Sequence, residues 1–148
     1  MAGATQSLTW TGDVVVERLR AAAIVGVNRV MGACVKQAKA SHPWRNRTGI
    51  LEGGIGVVQY AEPVEGGVRG SWGVQDVVYA RIQELGGTIV PKKARALVIP
   101  QPDGTVRFVK RVTIPARPFL RPAADALYPQ LGAAIRQAYG SKNGGGDE

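Results

Sequence analysis

Twenty glycines and nine prolines make up about a fifth of the 148 residues, and they limit how far any regular element can run. Glycine loosens the backbone and proline removes a hydrogen-bond donor, so a chain rich in both is cut into short pieces by turns, bulges and helix ends. That argues against a helical bundle. One long element survives. Asp13 is a candidate helix cap, and the helix it opens reads to about Ala40. Val15, Leu19, Ala22, Val30 and Cys34 recur mostly at steps of three and four, as a one-sided helix requires. Gly26 and Gly32 weaken it and leave room for another backbone to come close. Pro43 keeps His42 out of the helix.

Beyond the helix the pattern changes. Residues 41–54 read as a connection. Ile55 to Tyr60 and Val68 to Val74 read as strands joined by a turn through Pro63 and Gly66-Gly67. Asp76 is a candidate cap for a short helix, Val77 to Leu85, ended by Gly86-Gly87. A second hairpin follows, with Ala94 to Ile99 as one arm and Thr105 to Ile114 as the other. Its turn, Pro100 to Gly104, contains an Asp-Gly pair. In the second arm Val106, Phe108, Val112 and Ile114 share one face, while Arg107, Val109, Arg111 and Thr113 share the other. Pro115 and Pro118 stop the strand. A last helix reads from about Pro122 to Tyr139, with Pro129 predicting a kink or a late start. The expected fold is α+β: long N-terminal and C-terminal helices packed on an antiparallel sheet built from two hairpins. Residues 1–12 read as a flexible lead, 13–139 as one domain, and 140–148 as a disordered tail.

Nineteen basic residues against eleven acidic ones give a formal net charge of +8, unevenly placed. Residues 92–121 hold eight basic residues and one acid, whereas residues 50–91 hold five acids and two basic residues. A basic stripe attracts polyanions such as DNA. Segregated charge of both signs also suits a chain that stacks head-to-tail on copies of itself. One cysteine and one histidine exclude an internal disulfide and a Cys/His zinc site. A lone Cys fits a reducing cytoplasm. No apolar stretch is long enough to span a membrane, and no leader pattern opens the chain.

Candidate chemistry is sparse. His42 has no partner nearby in sequence, and Cys34 falls on an apolar helix face where an inert thiol is at home. Glu62 and Glu65 flank a turn, a solvated setting rather than an acid–base pair. Gly53-Gly54-Ile55-Gly56 lacks the ending of a phosphate loop and opens a strand. The reading is of no enzyme, with no catalytic residue, metal or cofactor. The basic arm is more telling. Arg107, Phe108, Lys110 and Arg111 mix cations with an aromatic, as single-strand binders do. Alternation places Phe108 on the apolar face and Arg107 opposite, which predicts a core phenylalanine and an exposed arginine row. Such a row makes weak, non-specific and salt-sensitive contacts with phosphates.

Two segments carry a resemblance. Tyr79-Ala80-Arg81-Ile82-Gln83-Glu84-Leu85-Gly86-Gly87 is followed by Ile114-Pro115-Ala116-Arg117-Pro118-Phe119-Leu120-Arg121-Pro122-Ala123. Together they resemble the tail-completion proteins of tailed bacteriophages, small neck or head–tail joining components. The upstream Asn46-Arg47-Thr48-Gly49-Ile50-Leu51 is similar to the segment that leads into their first hairpin. The resemblance covers roughly residues 44–139, and the Ala116–Leu120 segment is its specific part. Leu85 stands where an aromatic often precedes the glycine, and the basic hairpin 92–112 is longer than in compact members.

The resemblance implies a structural virion protein, assembled in the host cytoplasm. It would form a ring of six copies that completes the head-proximal end of the tail and joins it to the head. Implied partners are its own copies, a head-completion or stopper protein, a tail terminator or tail tube, and double-stranded DNA passing non-specifically, with no membrane. The tail terminator itself is the near alternative, and a basic DNA-binding accessory protein is the alternative from another class. Lys92, Lys93, Arg95, Arg107, Lys110 and Arg111 are the candidates for DNA-channel or inter-ring contact. Tyr79, Glu84, Gly86, Arg117, Pro118, Phe119 and Arg121 are the candidates for family-motif and subunit-interface roles. Glu84 has two readings, a local cap or an inter-subunit contact. Arg117 likewise reads either as an intrachain pin on the last helix or as a fork to a neighbouring subunit.

Overall fold

The computed structural model describes residues 7–43, 49–77 and 79–141. Helix α1 (Gly12–Ala40) is followed by α2 (Ile50–Gly54), strands β1 (Ile55–Val64) and β2 (Gly67–Val74), and α3 (Ala80–Leu85). Then come β3 (Gly87–Ile89), β4 (Leu97–Pro100), β5 (Val106–Val109) and β6 (Val112–Ile114). Helices α4 (Leu120–Leu127) and α5 (Leu131–Ser141) close the chain, joined by a 3-10 turn at Tyr128–Gln130. The fold is α+β, as its pattern predicts. Its antiparallel structure is divided among three two-stranded ribbons: β1 with β2, β3 with β6, and β4 with β5.

The long helix forms where the periodicity placed it, but only part of its apolar face is covered. Ala22, Gly26, Val30, Met31, Cys34 and Ala38 are buried, and no residue before Ala22 is. Val15 and Leu19 continue the same face yet stay exposed, because the elements packed on α1 leave its first turns largely open. Asp13 lies inside the first turn rather than capping it, since the helix starts at Gly12. Gly26 does the work its sequence suggested: a Cβ there would lie 2.6 Å from Ile135 Cγ1 and 3.0 Å from the Ile135 backbone nitrogen. Helices α1 and α5 therefore meet at a distance only glycine permits. Arg29 donates to Gln137 Oε1 at 2.7 Å, and Arg18 lies over the Tyr139 ring along the same seam. Gly32 faces open space.

The β1–β2 ribbon packs on another side of α1, and Asn28 Oδ1 accepts the Ala61 N–H at 2.8 Å. Trp72 from β2 donates its indole N–H to the Tyr128 hydroxyl at 3.0 Å. Two small cores result. One gathers Ala38, Leu51, Ile55, Ala80, Phe119 and Ala123; the other gathers Val30, Cys34 and Ala134. Cys34 is fully enclosed, and burial pushes its thiol above the ordinary range. His42 sits past the end of α1, as Pro43 requires, with Nε2 3.6 Å from Glu52 Oε2.

Several boundaries differ from the sequence reading for identifiable reasons. The short helix begins at Ala80 rather than Val77, because Asp76 adopts a left-handed turn (φ 57°) instead of a cap. The last helix begins at Leu120, two residues early, and Pro129 breaks it into α4 and α5. Residues 140 and 141 still belong to α5, and the rest of the expected tail, 142–148, lies outside the described residues, as do residues 1–6 of the lead. Of the lead-in segment, 46–48 also lie outside them; Gly49 (φ 73°) turns the chain into α2. Among the described residues no helix is long and apolar enough to cross a membrane.

Candidate functional site

The two segments that carry the family resemblance are clasped together. Glu84, near the end of α3, turns its carboxylate onto the start of α4. Its Oε2 accepts the N–H groups of Phe119 at 2.7 Å and Leu120 at 3.0 Å, and its Oε1 accepts that of Arg121 at 3.0 Å. Those N–H groups lack partners within a helix, and an anion there also meets the positive end of the helix dipole. The cap thus comes from 35 residues upstream of Phe119.

Backbone contacts complete the clasp. The Arg117 N–H donates to the Gln83 carbonyl at 2.8 Å. Gly86 (φ 68°) presses so closely on the second segment that a Cβ would lie 2.6 Å from the Ala116 nitrogen and 2.8 Å from the Ile114 oxygen. No other residue fits, by conformation and by space. Phe119, only 1 % exposed, anchors the corner among Ala38, Leu51, Ile55, Ala80 and Ala123. Its side chain contributes about 1.5–3 kcal/mol by burial alone.

Of the other candidates here, Tyr79 is partly exposed at the start of α3, and Pro118 is exposed at the bend. Arg121 is exposed, with Nε 3.8 Å from Asp125 Oδ2. The pin at position 117 is the backbone amide, while the guanidinium is exposed and makes no ion pair among the described residues. Sequence reading missed Gln83, whose carbonyl holds that amide and whose Oε1 is buried without a hydrogen-bond partner among the described residues. No residue-type pattern could have flagged it, because its main bond is made by backbone.

The second region is an arm that springs from the clasp. Its two roots are the pinned points themselves, Gly86 and Ile114–Ala116. Strands β3 and β6 pair first, from Gly87↔Ile114 to Ile89↔Val112. Strands β4 and β5 then form the distal hairpin, from Leu97↔Val109 to Pro100↔Val106. Thr105 to Ile114 is therefore not one continuous strand as predicted. Residues 90–96 on one side stand against only Lys110 and Arg111 on the other, and an unequal count forces a bend. The bend gathers five of the six candidate cations: Lys92, Lys93, Arg95, Lys110 and Arg111, all exposed. Arg107 lies farther out, opposite Ile99.

The turn formed where Asp-Gly predicted it. Gly104 takes φ 82°, and Asp103 Oδ1 accepts both the N–H (2.9 Å) and the hydroxyl (2.6 Å) of Thr105. The Thr105 hydroxyl and amide hold the Asp103 carboxyl below its usual range.

Phe108 is where the sequence reading fails. It is 67 % exposed rather than in the core. Register pairs it with Val98, and Val106 with Pro100, on one face that nothing among the described residues covers. The half-buried face is the other one, Leu97, Ile99 and Val109. A two-stranded ribbon has no third strand or helix to decide which apolar face turns inward, and no other element packs extensively on it.

Among the described residues no group of three or more His, Cys, Asp or Glu side chains stands together to hold a metal ion. Comparison of the chain with protein-family models, with curated proteins and with solved structures gave no match.

Proposed function

We propose that this chain is a structural component of a phage neck, forming a ring that completes the head-proximal end of the tail and joins it to the head. The observation that carries this reading is the clasp. The two segments that resemble tail-completion proteins form one rigid corner through Glu84, Gly86 and Phe119. That corner fixes both roots of a long arm. A rigid base with a projecting arm is what a subunit needs to reach a neighbour at a defined angle.

The basic bend adds to it. Five exposed cations flanking the same break in strand pairing suit the phosphates of DNA passing through a ring, held loosely and without sequence preference. A closed ring of six identical subunits is the symmetry of the proposal, and each subunit then offers two unlike surfaces to its neighbours.

Mass spectrometry of purified particles tests the reading. The chain is expected at a few copies to about a dozen per particle, consistent with one or two rings. Presence in infected-cell lysate with absence from particles would overturn it. Particles made without the chain separate the two neck roles. Tails of normal length that fail to join heads indicate completion, and tails of uncontrolled length indicate a terminator. For the DNA-binding alternative, Arg107→Glu with Arg111→Glu should abolish function while leaving particle assembly intact. The neck reading expects assembly or DNA exit to suffer instead.

A further inference from the structure

The arm leaves an apolar face uncovered, and the body leaves an apolar groove open. On the arm, Val98, Val106 and Phe108 are all more than half exposed on one face, beside Pro100. On the body, Val16, Leu19, Arg20 and Ala23 of α1 face Gly66, Gly67 and Val68 of the β1–β2 turn across a groove of about 400 Å³. On both surfaces the apolar residues stand side by side rather than singly, the arrangement that marks an interaction site.

Charge selects the pairing. The arm, Gly87 to Ile114, carries six basic residues and the single acid Asp103. Two arms packed on each other would bring like charges together, which opposes a self-complementary contact. The groove has the opposite rim. Glu62 and Glu65 are exposed at the ribbon tip beside it, with Arg69 opposite Glu62 in register, and the groove's own lining holds one cation, Arg20. Glu17 is paired with Arg20 at 2.9 Å. The ribbon tip therefore keeps one unbalanced carboxylate next to a largely apolar trough, against the apolar face of an arm that carries net positive charge.

We propose that the outer face of the arm docks in the α1–ribbon groove of a second copy of this chain. Phe108 and Val98 seat against Leu19 and Val16, and the net positive charge of the arm lies toward the carboxylates of the ribbon tip. The contact is head-to-tail: each subunit gives an arm to one neighbour and a groove to the other. Repeated with rotation, such a contact closes a ring or runs on as a filament. The inference rests on the ring reading for closure, and it assigns which surfaces make the ring. A nucleic acid suits the outer face less well, because register surrounds Phe108 with aliphatic side chains and turns Arg107 to the opposite face.

Phe108→Asp breaks the arm and Leu19→Asp breaks the groove, and both positions are exposed, so neither change should lower the melting temperature appreciably. Sedimentation of the full chain is expected to give an oligomer for the wild type and a monomer for each variant. An equimolar mixture of the two variants is the decisive sample. One intact arm and one intact groove remain, so it should give a one-to-one dimer and nothing larger.

Variants that assemble like the wild type overturn the pairing and leave the ring reading standing. So does a mixture that stays monomeric. A wild type that is monomeric at its highest soluble concentration also overturns the pairing, while the ring reading is decided separately by the particle copy number. If Phe108→Asp keeps assembly but loses binding to a duplex DNA oligomer, the occupant of the arm is nucleic acid. If Trp10→Asp loses assembly while Phe108→Asp keeps it, the groove belongs to the N-terminal segment. Both results overturn the inference.

Discussion

Phe119 and Phe108 lie eleven positions apart and meet opposite fates. Phe119 sits in a corner where a helix cap, a backbone hydrogen bond and a glycine contact all fix the same point. Phe108 sits on a ribbon held by its own strand pairing and turn, with one face open. A two-stranded ribbon alone is marginally stable in water, so the arm depends on its pinned roots. The difference teaches where this chain places rigidity. The corner is over-determined so that the arm can be exposed.

The largest expected contrast comes from the two phenylalanines. Phe119→Ala should cost about 3–5 kcal/mol in chemical denaturation, since it leaves a cavity in the main core. Phe108→Ala should stay within about 0.5 kcal/mol of the wild type, as surface changes do. Equal losses would erase the distinction between corner and arm.

Gly86→Ala comes next. The positive-φ, extended-ψ backbone, a region essentially reserved for glycine, alone costs about 1–3 kcal/mol, and the new Cβ also meets the Ala116 and Ile114 backbone. Hydrogen exchange should then speed up at the roots of the arm, Gly87–Ile89 and Val112–Ile114, more than in α1. Unchanged protection there would mean that the clasp does not hold the arm.

Glu84→Ala should cost about 1–2 kcal/mol through loss of the cap. Glu84→Gln should retain part of it, because one oxygen acceptor survives while the charge at the helix start is lost. Amide exchange at Phe119, Leu120 and Arg121 checks this directly.

The smallest effect is at the tip. Asp103 has a lowered pKa, so its support for the turn is present above the unfolded value near 3.8 and is lost as pH falls through the lower folded value. The Thr105 amide resonance should titrate with a midpoint below 3.8, and Asp103→Asn should remove that titration. A midpoint at or above that value would contradict the hydrogen bonds seen at the turn.

Much of this was legible in the residues. The helix to Ala40, the close approach at Gly26, the first hairpin, the Asp-Gly turn and the break at Pro129 all follow from local chemistry. Each depends on backbone freedom or periodicity within a few residues. The candidate site was legible only as a pair of segments. Nothing local to Glu84 says that its carboxylate reaches three amides beyond the arm. Likewise, nothing in the Val106–Ile114 alternation tells which face is covered, because alternation gives two faces and only packing selects the inner one.

By itself, then, the sequence determined the α+β class, the long helix, the turns and the concentration of positive charge between residues 92 and 121. Tertiary structure alone decided that two separated segments form one corner, that five cations flank the same break in strand pairing, and that Phe108 faces outward. The physical reason is range. Propensity, capping and turn chemistry act over a few residues, whereas covering a face or satisfying a helix end with a distant carboxylate depends on which parts of the chain the fold brings together.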